Sequence, residues 1–413
     1  MTGPLEGIRV ADFSWVWAGP TCTLQLAHMG AEVIRMESTR RTCALRMFPP
    51  WPDGVPGPNR SGYFNQYNQG KRAILLDISK PEGAEIAKKI VAMSDVAVEN
   101  FAGGIINRLG LGYEVLRKVK QDLIMISMSG YGQTGPDSGF VSYGPAQVPL
   151  SGLSQLTGYL GSSPMHVGMS YGDPNAGLHA AFAVLSALVY RERTGEGQYI
   201  DMSQWESTMS ALGDGIMNYA MNGEQPPRMG NRVAGMAPHG MFRSAPGEPL
   251  MEGFPADDRW ISIACVTDEE WQALCGVMGR AELASDARFA TLADRKGNEG
   301  DLEAEVTAWT ITQDPFDAMR ALQAAGVAGY PPQMNKELDA DAHLNARGIF
   351  VEHEHPEVGV RRHVGIPWRM SGTRCEVWRA APVMGQDNDY VFGELLGMSS
   401  DQIADLVARE VIH

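Results

Sequence analysis

One carboxylate stands out in this chain for where it sits. Asp173 lies in the run Met-Ser-Tyr-Gly-Asp-Pro-Asn-Ala-Gly-Leu-His, residues 169–179. Asp is a favoured helix N-cap, and Pro is favoured at the position that follows. The Ala-rich stretch beyond Pro174 predicts a long helix to Arg193, stopped by Thr194-Gly195. The Asp173 carboxylate is therefore expected at a helix N-terminus, at a strand-to-helix corner. Taken alone, this segment describes a helix cap. Other chemistry-bearing types are sparse. The five cysteines (22, 43, 265, 275 and 375) form no Cys-x-x-Cys pair, so neither a zinc site nor a disulfide framework is expected. His353 and His355 alternate with Glu352 and Glu354 as one face of an exposed strand, with no third ligand in pattern. No metal is expected.

The elements around Asp173 read as an α/β protein. Residues 8–13 form a strand, residues 17–20 turn, Pro20 opens a helix over 21–29, and 32–36 is a second strand. This βαβ unit puts a helix N-terminus at its first turn, a natural anion site, although no G-x-G-x-x-G fingerprint is present. Strands at 73–77, 95–99, 123–128 and 198–202, with a helix at 81–93, continue the alternation. Such alternation implies a parallel sheet with right-handed crossovers. The run Gly-Glu-Gln-Pro-Pro-Arg-Met-Gly from 223 reads as a linker. Beyond it, a strand at 260–266 and about three helical stretches to 325 suggest a smaller domain. From Gly329 the chain leaves it, with short strands over 348–378 and two short helices over 389–411. The expected division is 1–222, 223–330 and 331–413.

With 413 residues and 44% hydrophobic content, the chain can bury more than one core. Its net charge of −15 disfavours nucleic acid and anionic membranes as partners. A polyanionic ligand must then be met by local basic groups and backbone N–H groups. No basic segment followed by an apolar one opens the sequence, and the longest apolar run, 180–190, is interrupted by Ser186. The expectation is a soluble, cytoplasmic protein.

Many short motifs occur together and in order: Pro4-Leu-Glu-Gly-Ile-Arg-Val-Ala-Asp-Phe, Ala18-Gly-Pro, Leu26-Ala-His-Met-Gly-Ala-Glu, Asn68-Gln-Gly-Lys-Arg, Val98-Glu-Asn-Phe and Arg108-Leu-Gly-Leu-Gly. They continue with Ser129-Gly-Tyr-Gly-Gln-Thr-Gly-Pro, Gly172-Asp173, Arg193-Thr-Gly-Glu-Gly-Gln-Tyr-Ile-Asp, Ala324-Ala-Gly-Val, Ala346-Arg-Gly and Ala381-Pro-Val-Met-Gly-Gln. Across nearly the whole chain the sequence resembles the family III CoA-transferases, the group that includes formyl-CoA:oxalate and carnitine CoA-transferases. The resemblance implies a Rossmann-like large domain built from both chain ends, a smaller central α+β domain, and an interlocked dimer.

It also implies chemistry. The residue matching Asp173 is the family's nucleophile, working through an aspartyl-CoA thioester, with CoA thioesters as substrates and no permanently bound cofactor. A helix N-terminus is expected to keep its carboxylate ionised. Residues expected to contact CoA are Val16, Trp17 and Ala18 in the first turn, then Arg40, Lys71, Arg72, Asn100, Phe101 and Arg108, with Arg41 beside Arg40. Trp17, Tyr143 and His239 are expected at the acyl pocket.

The pattern departs from formyl-CoA:oxalate transferases in two places. Those enzymes carry Gln where this chain has Trp17, which argues for a larger and more apolar acyl group. They also carry a glycine-rich loop, where this chain reads Gly235-Met-Ala-Pro-His-Gly-Met-Phe-Arg. The segment Phe13-Ser-Trp-Val-Trp-Ala-Gly-Pro is similar to succinyl-CoA:benzylsuccinate CoA-transferases, so succinyl-CoA is the expected donor and benzylsuccinate an expected acceptor. The fold also hosts α-methylacyl-CoA racemases, which place a His-Asp step where this chain has Tyr143-Gly144. Two-subunit members exist as well, with either a homodimer or a heterodimer of homologous subunits as the assembly.

Overall fold

The computed structural model describes residues 3–249 and 251–413. They form two compact units. The first takes the chain up to Gln155, His166–Gln225 and Arg347–His413; the second takes Leu156–Met165 and Pro226–Ala346. The return to the first unit thus falls at Arg347 rather than near 331. Two short helices, Asn335–Ala340 and Ala342–Arg347, occupy the intervening stretch.

The first unit is built on six parallel strands: β1 (Arg9–Asp12), β2 (Glu32–Glu37), β3 (Arg72–Leu75), β4 (Val96–Glu99), β5 (Ile124–Ser129) and β6 (Tyr199–Ser203). Their spatial order is β3-β2-β1-β4-β5-β6, so the winding reverses between β1 and β4. Val10 pairs with Val33 on one side and Val96 on the other. The central strands are buried along their whole length. Burial on both faces is why Val, Ile and Met fall on neighbouring positions in them and do not alternate strictly with polar residues.

Helices cover both faces. On one, α1 (Ala18–His28) packs on the long α8 (Gly172–Thr194), with Leu26, Ala180 and Val184 in a shared core. The contact is close because Gly177 lacks a side chain: a Cβ there would lie 2.6 Å from Thr21 Cβ and 2.7 Å from the Ala18 carbonyl oxygen. This approach brings the start of α8 beside the start of α1. On the other face, α3 (Pro81–Ala92) packs Ile86 and Ile90 with Phe392 and Leu406 from the C-terminal segment. Short helices α2 (Gly62–Tyr67), α4 (Ile105–Arg108), α5 (Tyr113–Val119), α6 (Gly144–Leu150) and α7 (Leu153–Leu156) link the strands. The C-terminal segment returns to the β3 edge, where Asp77 N–H donates to the Val411 carbonyl.

After β6 the chain reads as one helical stretch to Asn222, but the helix is broken. It runs as α9 (Gln204–Met209), a 3₁₀ turn and α10 (Asp214–Asn222), divided at Gly213 with φ 62°. His353 and His355 lie in a hairpin, β10 (Phe350–His355) against β11 (Gly359–Val364). The second unit has a three-stranded antiparallel sheet, β7 (His239–Arg243), β8 (Trp260–Ala264) and β9 (Ala328–Tyr330), packed by helices around Trp271, Phe289 and Leu302. Among the described residues, no helix is long and apolar enough to cross a membrane.

Two helix starts differ from the sequence expectation. α1 begins at Ala18, so Pro20 is its third residue. α8 begins at Gly172 with Tyr171 as its cap, so Asp173 is the second helical residue and does not cap its own helix. The Asp173 N–H instead closes a tight turn onto the Ser170 carbonyl at 3.0 Å. Pro174 is tolerated at the third position because N–H groups of the first turn have no intrahelical partner.

Candidate active site

Because it does not cap α8, the Asp173 carboxylate is free to face inward. It is 8% exposed. Backbone N–H groups of Ala18 and Gly144, the first residues of α1 and α6, lie near enough to favour its ionised form. Three helix starts therefore converge on one carboxylate. Gly144 is required by this approach, since a Cβ there would lie 1.8 Å from Asp173 Oδ2. The two N–H groups favour the ionised form, but burial outweighs them and pushes the carboxyl from its ordinary value of 3.8 to about 7. The sequence-based expectation of a carboxylate held low is reversed here, because the loss of water exceeds the gain from a helix end.

Beside Asp173 opens a cavity of about 390 Å³. It is lined from segments that follow the carboxyl ends of β1 to β5, at the crevice where the strand order reverses. Open α/β sheets place ligands at that crevice. Val16, Arg40, Asn100, Phe101 and Tyr143 all line it with Asp173, as do Trp15 and Arg41. Arg40 is paired with Glu410 and lies 3.8 Å from Asp77. Arg41 sits 5.0 Å from the Trp15 ring and has no anionic partner among the described residues.

Other expected contacts lie elsewhere. Lys71 and Arg72 stand at the amino end of β3, while the cavity is at the carboxyl ends of the strands. Lys71 is fully buried, its Nζ donating to the Pro20 carbonyl and Asn68 Oδ1 at 3.0 Å each, with Asp12 at 3.7 Å. Burial pushes this amine down to about 7. Arg72 pairs with Glu32 at 2.9 Å and Asp387 at 3.1 Å. Neither reaches the cavity. Arg108 lines a neighbouring open groove with Lys80 and Lys89, which shares Ile78, Ser79 and Leu109 with the cavity. His239 belongs to the second unit, where its Nδ1 is bonded to the Asn231 carbonyl.

Trp17 turns away from that cavity. It is 3% exposed and meets Tyr63 and Tyr67 of α2 edge-on, both at 5.3 Å. The two tyrosines are 5.5 Å apart, and the Asp173 charge adds to the burial that raises Tyr63 above the usual phenol range. α2 is held to β2 by Arg46, which bonds Glu37 at 2.6 Å and lies 3.6 Å from the Phe64 ring centre. Sequence reasoning missed this pair of tyrosines. Their four-residue spacing on one helical face was the available signal.

The first unit is doubly wound, and a buried carboxylate stands beside a cavity at its switch point, the place where open α/β sheets receive ligands. The family model for CoA-transferase family III matches residues 5–388, and the chain belongs to that family. It is 32% identical to succinate–glutarate CoA-transferase of Agrobacterium fabrum, over 95% of this chain and 96% of that one. It is 31% identical to the succinyl-CoA–L-malate CoA-transferase beta subunit of Chloroflexus aurantiacus, over 100% of this chain and 98% of that one. A crystal structure of a CAIB/BAIF family protein from Brucella suis superposes with a TM-score of 0.84 at 30% identity, covering 96% of this chain and 100% of that one.

Proposed function

We infer that this protein moves CoA from succinyl-CoA to a carboxylic acid, with Asp173 as nucleophile. The observation that carries the reading is the buried Asp173 carboxylate, set against two backbone N–H groups beside the switch-point cavity.

On this reading the chemistry runs in four attacks. The carboxylate attacks the thioester carbonyl, the C–S bond breaks, and a mixed anhydride and CoA thiolate result. The thiolate attacks the aspartyl carbonyl, releasing succinate and leaving an aspartyl-CoA thioester. The acceptor carboxylate then displaces the thiolate, and the thiolate attacks the acceptor's carbonyl, which regenerates Asp173. The Ala18 and Gly144 N–H groups, which favour the charged form of Asp173, support a role in stabilising the oxyanion that forms on the aspartyl carbonyl. Thioester energy is conserved, and the steps require neither ATP nor a resident cofactor. The unpaired Arg41, together with Arg108 and Lys89 in the adjoining groove, supplies positive charge for the CoA phosphates.

The half-buried Tyr63, within reach of the Asp173 charge, and its neighbour Tyr67 support an acceptor with apolar bulk, and benzylsuccinate is the candidate that the sequence suggests. Relatives named for glutarate and L-malate make short dicarboxylates the alternative. A second reading has one specific support: the L-malate relative is named as a subunit. Exposed Leu178 and Phe182 on α8 and Met217 and Met221 on α10 offer an apolar face for a second chain, a copy of this one or a homologue.

The test is one incubation in D₂O with succinyl-CoA and a panel of acids, read by mass spectrometry of the CoA esters. New undeuterated esters are expected. Deuterium entering the α-carbon of a 2-methylacyl-CoA, without new esters, would assign a racemase instead.

A further inference from the structure

Val16 has φ 55°. The left-handed region is rare for β-branched residues, and such outliers cluster at functional sites when their surroundings over-determine them. Here every neighbour is anchored. Phe13 N–H donates to the Val98 carbonyl at 2.9 Å, and Ser14 N–H to Asp12 Oδ1 at 2.9 Å. Asn100 Oδ1 accepts from Trp15 N–H at 2.6 Å, and Asn100 Nδ2 donates to the Trp15 carbonyl at 2.8 Å. Val16 N–H donates to Cys43 Sγ at 3.3 Å. The Trp15 ring is wedged by Phe101 at 5.9 Å and Arg41 at 5.0 Å. Gly19 completes the fit, because a Cβ there would lie 2.2 Å from Ser14 Cβ and 3.2 Å from Asn100 Cγ. Just beyond Val16 in the chain, the Ala18 N–H faces Asp173.

We propose that Asn100 is a positioning residue: its amide clamps the peptide groups on both sides of Trp15, holds Val16 in the left-handed region, and so aims the Ala18 N–H at the Asp173 carboxylate. The clamp joins the loops after β1 and β4, the two strands that flank the reversal in the sheet. Asn100 lines the cavity, and both ends of its amide are bonded to Trp15. The inference rests on the reading of Asp173 as nucleophile.

Three variants of the full-length protein separate the possibilities. Asn100→Ala should lower kcat by about 10²-fold, the usual effect of losing one aimed donor, with little change in KM for succinyl-CoA. Its acid limb should move to higher pH, because an N–H that favours the ionised carboxylate has been lost. Asn100→Ala combined with Val16→Gly should regain about tenfold in kcat over Asn100→Ala, since glycine takes the left-handed conformation without strain. A raised KM with kcat retained would make Asn100 a ligand contact and overturn the proposal. A fall in kcat that Val16→Gly does not relieve would also overturn it, leaving a general structural role. Asp173→Ala is the control. If it stays active, the nucleophile reading fails and this inference with it; if it is inactive while Asn100→Ala behaves otherwise than predicted, only the clamp fails.

Discussion

Replacing Asp173 by Asn removes a charge that the fold disfavours, and the resulting change in stability should depend on pH in a calculable way. The folded carboxyl titrates near 7, against an ordinary value of 3.8. That is a difference of roughly three units, worth about 4 kcal/mol in all at ~1.4 kcal/mol per unit. Between those two values the unfolded chain has lost the proton and the folded one keeps it. Stability contributed by the protonated form is therefore fully present below pH 3.8 and is lost as pH rises through about 7. The substituted amide does not titrate, and its side-chain oxygen can still accept from Ala18 and Gly144. Denaturant unfolding of the wild type and Asp173→Asn, each at about pH 5 and about pH 8, cancels every other titrating group in the difference. The variant should gain about 3 kcal/mol relative to wild type across that interval, roughly two of the three units. A difference that is flat with pH, or that runs against the variant at high pH, would refute the claim that burial dominates this site.

The same ionisation governs activity: kcat/KM should fall on acidification with a limb near pH 7, and a rate that holds steady to about pH 5 would contradict it. Gly144→Ala puts a Cβ where Asp173 Oδ2 now sits, so kcat should drop by about 10²-fold or more while the cooperative unfolding transition persists; near-normal kcat would show that the carboxylate has room to move. Trp17→Gln should shift the ratio of kcat/KM values from benzylsuccinate towards smaller dicarboxylates, measured on a mixed-acid panel; an unchanged ratio would place the acyl pocket away from the aromatic cluster.

The strands and their parallel direction were legible because short strand-like runs alternate with helical stretches, the signature of βαβ winding, while their order in the sheet was not. Asp173 was legible as the notable carboxylate, but its register in the helix was not. Asp followed by Pro reads as cap and first residue, while the fold starts α8 at Gly172 and turns the side chain inward. The elevated pKa was invisible because the burial comes from segments, those at Ala18 and Gly144 among them, that are distant in sequence. Lys71 and Arg72 look like phosphate ligands as a basic pair. Their place at the amino end of β3 commits them instead to Asn68, Glu32 and Asp387, and strand direction alone would have predicted it. Val16 gave no warning, since nothing in Trp-Val-Trp indicates a left-handed residue. Its conformation is imposed by Asn100 and Cys43, both remote along the chain.

The central claim is a covalent intermediate on Asp173, and the most direct measurement traps it. The enzyme is mixed with succinyl-CoA without acceptor, quenched with hydroxylamine, digested and mapped by peptide mass. The account predicts a hydroxamate on the peptide carrying Asp173, dependent on the CoA ester and absent from Asp173→Asn. A modified residue elsewhere, or full turnover with no adduct at Asp173, would contradict it.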